Sequence, residues 1–206
     1  GMVSPAEFIP LAEETGLIIG LGDLINEQAC QIIRQWQQLG LNDWVLSINV
    51  SAPQFQQLDF VDKLNSLLKH YEVPAGQLKL ELTESVLMQN LDEVIHKINE
   101  LKQLGIQFAL DDFGTGYSSL SYLMKLPFDV LKIDVSFVRD MFQSKQKEAI
   151  VQTIVQLAHN LGLKVVAEGV ETEKHFDYLS SLGCDYFQGY LFSKPVAEPE
   201  FRQQNQ

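Results

Sequence analysis

Six short stretches of the chain read as β-strands, with apolar residues facing one way and a polar or charged residue facing the other at the last inward position, in the period of two that strands show. In the stretch LKLELTE, the leucines Leu78, Leu80 and Leu82 share one side, and the residues between them share the other. The alternation predicts six strands, over 44–50, 78–83, 106–111, 129–134, 164–168 and 186–191.

Between these strands, apolar residues recur at the three- and four-residue spacing of amphipathic helices. Val151, Ile154 and Ala158 follow this spacing in one of them. Two helices precede the first strand: one starts with the capping sequence Ser4-Pro5-Ala6-Glu7, and the next ends at Gly40. Further helices are predicted over 59–71, 91–104, 118–125, 146–161 and 173–182.

Strands that alternate with helices are typical of a parallel sheet in an α/β fold. Each predicted strand carries a polar residue at its last inward position; in chain order these are Asn49, Glu81, Asp111, Lys132, Glu168 and Gln188. In α/β barrels, the carboxyl ends of the strands form the active site. We therefore predict a TIM-like (β/α) barrel, which is incomplete because eight strands close such a barrel and the sequence shows six.

An incomplete barrel leaves two strand edges unpaired, and folded proteins normally cover such edges. We expect the open side, bordered by strand 44–50 and strand 186–191, to be covered by a second copy of the chain or by the two leading helices. The predicted domain spans 4–197, and a polar tail is predicted over 198–206.

Composition narrows the function classes. The chain has 206 residues, 46% of them hydrophobic, without an apolar run that could span a membrane, so we expect one soluble domain. A formal net charge of −12 argues against a protein that binds the DNA backbone. Cys30 and Cys184 lack CxxC or histidine-rich partners, so we expect buried thiols in a reducing, cytoplasmic compartment rather than a zinc site.

Oxygen ligands gather at three of the predicted strand ends. Asn49, Glu81, Asp111 and Asp112 carry the amide and carboxylate oxygens that Mg²⁺ and Mn²⁺ prefer. In this interpretation Asp111 points inward, and Asp112 on the departing loop reaches a second ion. Two such ions about 4 Å apart would stabilise the attacking and leaving oxygens of a phosphodiester. Polar filling of the barrel interior is the structural alternative for any one of these residues alone.

Lys132, Glu168 and Gln188 are the candidates for proton and water chemistry. A buried ammonium needs carboxylate partners, so Lys132 either polarises the attacking water or balances the charge of the acids. Glu168 is a candidate second-metal ligand or general base, and Gln188 offers an amide to a water or a phosphate. Glu171 is a candidate support for the loop after Glu168, although a solvated acid at a helix start is the stronger explanation, because acids favour the first turn of a helix.

The segment DDFGTGYSS follows a strand and opens a helix. Gly114 and Gly116 permit backbone conformations that other residues resist. The segment is therefore either a hinged gate beside the ligand or a plain tight turn.

Six ordered motifs of the chain resemble those of EAL domains, bacterial phosphodiesterases that act on cyclic di-GMP. The motifs are SINVSAPQF, LKLELTES, ALDDFGTGYSSLSYL, LKIDVSFV, VVAEGVET and YFQGYLFSKPV. The resemblance covers the chain from Ser4 to about Pro195. It implies hydrolysis of cyclic di-GMP to linear pGpG, dependent on Mg²⁺ or Mn²⁺, by a domain that forms homodimers and is normally attached to sensory or GGDEF-type domains.

The resemblance also implies metal ligands. Asn49, Glu81 and Asp111 would bind the first metal, and Asp111 together with Asp112 would bridge to the second.

Further roles follow from the same resemblance. Lys132 would engage the nucleophilic water, Glu168 would serve the second metal or act as the base, and Gln188 would complete the water network. Glu84 resembles the residue that anchors the DDFGTGYSS loop, through which the family couples dimer contacts to metal binding.

The chain departs from the family in one respect, because the Glu-Ala-Leu triplet is absent. The nearest string, Glu148-Ala149-Ile150, falls inside an amphipathic helix and cannot replace it. In the family the triplet lies on one of two leading strands, and its glutamate binds metal. We therefore expect an N-terminally truncated domain that is poorly active unless a partner chain supplies the missing segment.

Two other functions remain open on this reasoning. A non-catalytic cyclic di-GMP receptor or dimerisation module would bind the dinucleotide without turnover. An enolase-like barrel would use Lys132 as a base beside a metal, with a carbon acid as substrate, and it gives no role to the DDFGTGYSS segment.

Overall fold

The computed structural model describes residues 3–87, 90–114 and 120–204. Its strands are parallel where their registers are given, and they follow one another in chain order. They are β1 Leu46–Val50, β2 Leu78–Thr83, β3 Gln107–Phe113, β4 Val130–Ile133, β5 Lys164–Glu168 and β6 Tyr186–Gln188. The predictions for β2 and β5 match in full, and the other strands begin or end within a few residues of the prediction.

Helices separate the strands, as predicted. The longer ones are α1 Pro5–Glu14, α2 Leu17–Gln38, α4 Phe60–His70, α6 Leu91–Leu104, α9 Lys145–Asn160 and α10 Glu173–Ser181. The short ones are α3 Ala52–Phe55, α5 Glu84–Leu87, α7 Leu120–Leu123, α8 Val135–Asp140 and α11 Glu198–Gln204, with 3₁₀ turns at Ala75–Gln77 and Met141–Gln143. The start predicted for α7, at 118, lies outside the described residues.

Side-chain caps start several of these helices. The side chains of Asp134, Ser144 and Thr172 accept hydrogen bonds from the first-turn amides of α8, α9 and α10. Ser4 precedes α1 as predicted, but its side chain makes no capping hydrogen bond, so the predicted capping box is wrong there. A capping box is present instead at Ser51, at the start of α3.

One strand prediction needs correction, and one helix was not predicted. Strand β6 ends at Gln188 rather than at 191. Helix α8 follows the strand predicted over 129–134; the side chain of Asp134 caps it, and Val138 is buried. Part of the predicted polar tail over 198–206 forms the helix α11, which has no buried residue.

The chain divides into two compact units, the first formed by residues 1–111 and 116–129. In this unit β1 pairs with β2, and β2 pairs with β3. The leucines Leu78, Leu80 and Leu82 on one side of β2 are 0% exposed, as the alternation predicted. The leading helix α2 contacts β1.

The second unit is formed by residues 112–115 and 130–206. Here β4 pairs with β5, and β5 pairs with β6. Leu131 and Ile133 of β4 and Val165 of β5 are fully buried, and they form the core together with the apolar side of α9. Strand β6 is short and partly exposed.

Both cysteines are buried and free, as predicted. Burial raises the pKa of Cys30 to about 11 and that of Cys184 to about 12, so both remain thiols at neutral pH. Among the described residues, no helix has the length and apolar character that crossing a membrane requires.

Candidate active site

The first unit carries three of the predicted ligands at its strand ends. Asn49 of β1 is the register partner of Glu81 of β2. Glu81 is in turn the partner of Ala109, so Asp111, two residues further along β3, lies on the same side of the sheet. Glu81 and Asp111 are each 8% exposed, whereas Asn49 is exposed. The unit therefore presents two buried carboxylates and an accessible amide on one side of neighbouring strands.

The second unit carries a buried ion pair. Lys132 Nζ lies 2.6 Å from Glu168 Oε1, and the two side chains are 6% and 16% exposed. Lys132 is the register partner of Val166, so Glu168 lies two residues further along β5 on the same side. Glu168 is thus a carboxylate partner of the kind that a buried ammonium requires.

Two further residues join this pair within the second unit. A carboxylate oxygen of Asp112 lies within 4.8 Å of one of Glu168, which is close enough for both to bind one cation. Gln188 of β6 is the register partner of Glu168. The unit therefore combines two carboxylates, an ammonium and an amide at its strand ends.

Asp112 has an unusual backbone. Its φ is 54°, in the left-handed region that residues with a side chain seldom adopt. In a regular strand, Asp111 and Asp112 would point to opposite faces, and the left-handed turn at Asp112 changes this alternation. Such a conformation costs on the order of 1–3 kcal/mol and persists mostly where the surrounding structure imposes it, often at functional sites.

The predicted loop-support residues occupy distinct positions. Glu84 is the buried first residue of α5. Glu171 is exposed, and its carboxylate accepts a hydrogen bond from Arg139 at 3.3 Å. Gly114 has a φ of 96°, and a Cβ there would lie 2.9 Å from the ring of Phe137, so both its conformation and its packing require glycine. Gly116 lies outside the described residues.

Two glycines that the sequence interpretation missed follow the candidate residues of β5 and β6 directly. Gly169, after Glu168, has a φ of 69°, and a Cβ there would lie 2.3 Å from a methyl group of Val135. Gly189, after Gln188, would bring its Cβ within 2.2 Å of the backbone oxygen of Val170. A glycine directly after a polar strand end was the signal that could have identified both positions.

A buried histidine packs behind the Glu171 loop. His175 of α10 stacks on Phe142, with ring centroids 5.7 Å apart, and its Nδ1 faces the backbone N–H of Glu171 at 3.5 Å. Burial lowers the pKa of His175, and nearby Lys174 acts in the same direction, while the Glu171 carboxylate opposes them. This imidazole is therefore neutral at neutral pH.

Comparison with known proteins gives a consistent answer. Residues 1–195 match the model of the EAL domain family. The bifunctional diguanylate cyclase/cyclic di-GMP phosphodiesterase MucR of Pseudomonas aeruginosa is 41% identical over 95% of this chain, which spans 29% of that relative. The structure titled PaMucR phosphodiesterase, c-di-GMP complex, superposes with a TM-score of 0.94 at 40% identity, covering 98% of this chain and 81% of that chain.

Another similar structure is a metal complex. The manganese/cyclic di-GMP complex of Klebsiella pneumoniae BlrP1 has a TM-score of 0.74 at 34% identity, covering 84% of this chain and 45% of that one. The TIM-like α/β fold class predicted from the sequence is confirmed, and relatives carry the name cyclic di-GMP phosphodiesterase. The chain therefore belongs to the EAL domain family.

Proposed function

We propose that this chain hydrolyses cyclic di-GMP to linear pGpG with the help of divalent cations. The observation that carries the proposal is the buried Lys132–Glu168 pair, with Asp112 beside it, in a chain of the EAL family. A carbon-acid reaction of the enolase type is not supported by any relative reported above.

The oxygen donors suit Mg²⁺ or Mn²⁺. Glu81, Asp111 and Asn49 offer two carboxylates and an amide on one side of the first unit, and Asp112 and Glu168 offer two neighbouring carboxylates in the second. Hard divalent cations prefer this all-oxygen donor set, and we propose these residues as the metal ligands. Bound cations would supply Lewis acidity and lower the pKa of a water that attacks the phosphodiester.

The chain's own residues supply the rest of the chemistry. The Lys132 ammonium orients the attacking water by donating a hydrogen bond to it. The 2.6 Å contact with the Glu168 carboxylate holds this ammonium in place. Glu168 accepts the proton of that water or binds the cation, and the Gln188 amide orients the water or a phosphate oxygen. Because Lys132 has little freedom when buried, it holds its position without an ordering cost during the reaction.

The absent Glu-Ala-Leu triplet bears on the activity of these 206 residues. Glu148-Ala149-Ile150 lies inside α9, as predicted, and so cannot replace the triplet. We propose that the 206-residue polypeptide binds cations weakly and turns over slowly without one further carboxylate, because each anionic ligand contributes to the affinity of a hard-cation site.

The biological setting is likewise a proposal. The chain spans 29% of MucR and 25% of the signaling protein YkoW of Bacillus subtilis, so further domains accompany the related segment in those proteins. We propose a cytoplasmic homodimer attached to a sensory or GGDEF-type domain. Light scattering of the purified chain tests the dimer, and a monomer at all concentrations would contradict it.

The central experiment measures pGpG formation from cyclic di-GMP by chromatography, with Mg²⁺ or Mn²⁺ and with EDTA, on the 206 residues and on the full reading frame. We expect turnover that EDTA abolishes, stronger in the longer form. Glu81→Gln should abolish it, whereas Glu100→Gln, at an exposed position of α6, should leave it unchanged. Binding of cyclic di-GMP without turnover in both forms would overturn the proposal in favour of a receptor.

A further inference from the structure

The two shortest described strands carry two of the three residues proposed for water chemistry. Strand β4 has 4 residues and includes Lys132, and β6 has 3 residues and ends at Gln188. Short strands contribute few ladder hydrogen bonds. A shift of one residue in strand pairing would turn every side chain to the opposite face, so the register of these strands needs another source of stability.

An aspartate directly before β6 supplies such a contact. The backbone N–H of Asp185 donates to the carbonyl oxygen of Val165 at 3.1 Å, and the N–H of Val165 donates to Asp185 Oδ2 at 2.9 Å. Asp185 thus both donates a hydrogen bond to Val165 and accepts one from it. This bond pair has the same offset as the register pair Glu168 and Gln188.

The same arrangement occurs directly before β4. The N–H of Asp129 donates to the carbonyl oxygen of Phe108 at 2.9 Å, and the N–H of Phe108 donates to Asp129 Oδ2 at 2.9 Å. In each case the aspartate precedes the candidate residue by three positions, Lys132 in β4 and Gln188 in β6. The same two-way hydrogen bond, at the same distance in sequence from a candidate residue, thus occurs at two positions.

Each aspartate is held in place by a lysine. Lys164 Nζ lies 2.6 Å from Asp185 Oδ1, and His159 Nε2 lies 3.2 Å from the other oxygen. Lys102 Nζ lies 2.6 Å from Asp129 Oδ1 and also donates to the carbonyl oxygen of Pro127 at 2.9 Å. One carboxylate oxygen therefore binds the lysine, while the other accepts the N–H of the neighbouring strand.

We propose that Asp185 is a positioning residue that sets the register of β6 on β5 and thereby places Gln188 beside Glu168. This inference rests on the function proposed above for Gln188. The proposed effect of Asp185 passes through the strand that follows it and not through the substrate or a cation.

The test compares Asp185→Ala, which removes the acceptor, with Asp185→Asn, which keeps a side-chain oxygen for the Val165 N–H. Asp177→Ala, at an exposed position of α10, is the matched control for lost negative charge. Lys164→Met removes the counter-charge but keeps the acceptor. Backbone amide exchange and pGpG formation are measured on each variant in the full reading frame.

For Asp185→Ala we expect the Val165 amide to exchange on the order of tenfold faster, as for loss of one hydrogen bond to a charged group. We expect kcat to fall on the order of 100-fold, because a misplaced group costs about that much, with KM little changed. Asp185→Asn and Lys164→Met both keep the acceptor for the Val165 N–H, so each should retain most of the kcat of the unaltered chain. Asp177→Ala should have the same kcat as the unaltered chain.

Two results would overturn the inference: Asp185→Ala with unchanged kcat, or Asp185→Asn as impaired as Asp185→Ala, since charge rather than the acceptor would then matter. Should Asp185→Ala not fold, Asp129→Ala and Asp129→Asn test the same kind of contact within the first unit, where the exchange of the Phe108 amide reports whether the aspartate side chain holds that hydrogen bond. If the unaltered chain forms no pGpG, the proposed function fails, and the amide exchange still decides whether Asp185 holds the register of β6.

Discussion

The two units hold their polar strand-end residues in different ways. In the first unit, β2 has 6 residues, and its apolar side is fully buried. In the second unit, β4 and β6 have 4 and 3 residues, and Tyr186 of β6 is 52% exposed. Long buried strands place Glu81 and Asp111 through their ladders, whereas the short strands are flanked by side-chain contacts.

The difference also concerns charge. The first unit places two buried carboxylates and an amide on one side of its strands, while the second unit pairs Glu168 with Lys132 at 2.6 Å. Carboxylates that bind a cation are stabilised by it, whereas an ion pair holds its charges without one. A substitution in the ion pair of the second unit should therefore change stability and turnover differently from a substitution in the first unit.

The largest effect is expected in the second unit, from Lys132→Met. Removing one partner of a buried pair leaves an uncompensated charge, so the free energy of unfolding should fall by about 4 kcal/mol. Turnover should fall on the order of 10³-fold, because the group that orients the water is lost. Denaturant unfolding and pGpG formation measure the two effects.

The control for this variant is the double substitution Lys132→Met with Glu168→Met, which removes both charges. It should recover most of the stability but none of the activity. A double variant as unstable as the single one would show that packing, not the stranded carboxylate, caused the loss.

The first unit should respond to packing rather than to charge. Leu80→Ala, at a fully buried position of β2 beside Glu81, should lower the free energy of unfolding by about 3 kcal/mol. Saturating Mn²⁺ should restore part of that loss, because binding to the folded state stabilises it. Thermal unfolding with and without the cation measures this, and no response to Mn²⁺ would argue against Glu81 as a ligand.

A smaller effect on the free energy of unfolding is expected from two glycine-to-alanine substitutions, one in each unit, and the two changes should have opposite signs. Gly189→Ala, whose Cβ would lie 2.2 Å from a backbone oxygen, should destabilise by about 2 kcal/mol. Gly20→Ala, in α2 with no atom within 4 Å of the added Cβ, should stabilise by about 0.5–1 kcal/mol. Equal changes in stability at the two positions would contradict the close approach of Gly189 to Val170.

Local patterns explain how much could be predicted. Strands β2 and β5 were predicted in full, because each is a short apolar segment whose burial alternates along the strand. Strand β6 was predicted too long, because the chain turns after Gln188, where the N–H of Phe192 donates to the carbonyl oxygen of Gly189 at 3.1 Å. Helix α8 was missed because its apolar residues continue those of β4.

The candidate site shows the same division. The polar residue at each strand end is visible in the sequence, because period two assigns it to a face. The left-handed backbone of Asp112, the pairing of Lys132 with Glu168 and the contacts of Asp185 depend on neighbours far away in the chain. Local periodicity carries no information on such contacts.

The smallest expected effect is on the pH dependence of stability. It arises from the Asp185 carboxylate before β6, whereas the backbone hydrogen bonds between the strands of the first unit do not titrate. Burial alone would raise the pKa of Asp185, but hydrogen bonds from Lys164, Val165 and His159 lower it below its ordinary value of 3.8. A carboxylate with a lowered pKa contributes stability above the pKa of the unfolded chain, and this contribution disappears as the pH falls through the folded value. Between pH 5 and pH 2 the unaltered chain should therefore lose more stability than Asp185→Asn, which cannot titrate there. Denaturant unfolding at each pH gives the difference, and parallel curves for the two proteins would mean that the carboxylate charge adds nothing to the contact with Val165.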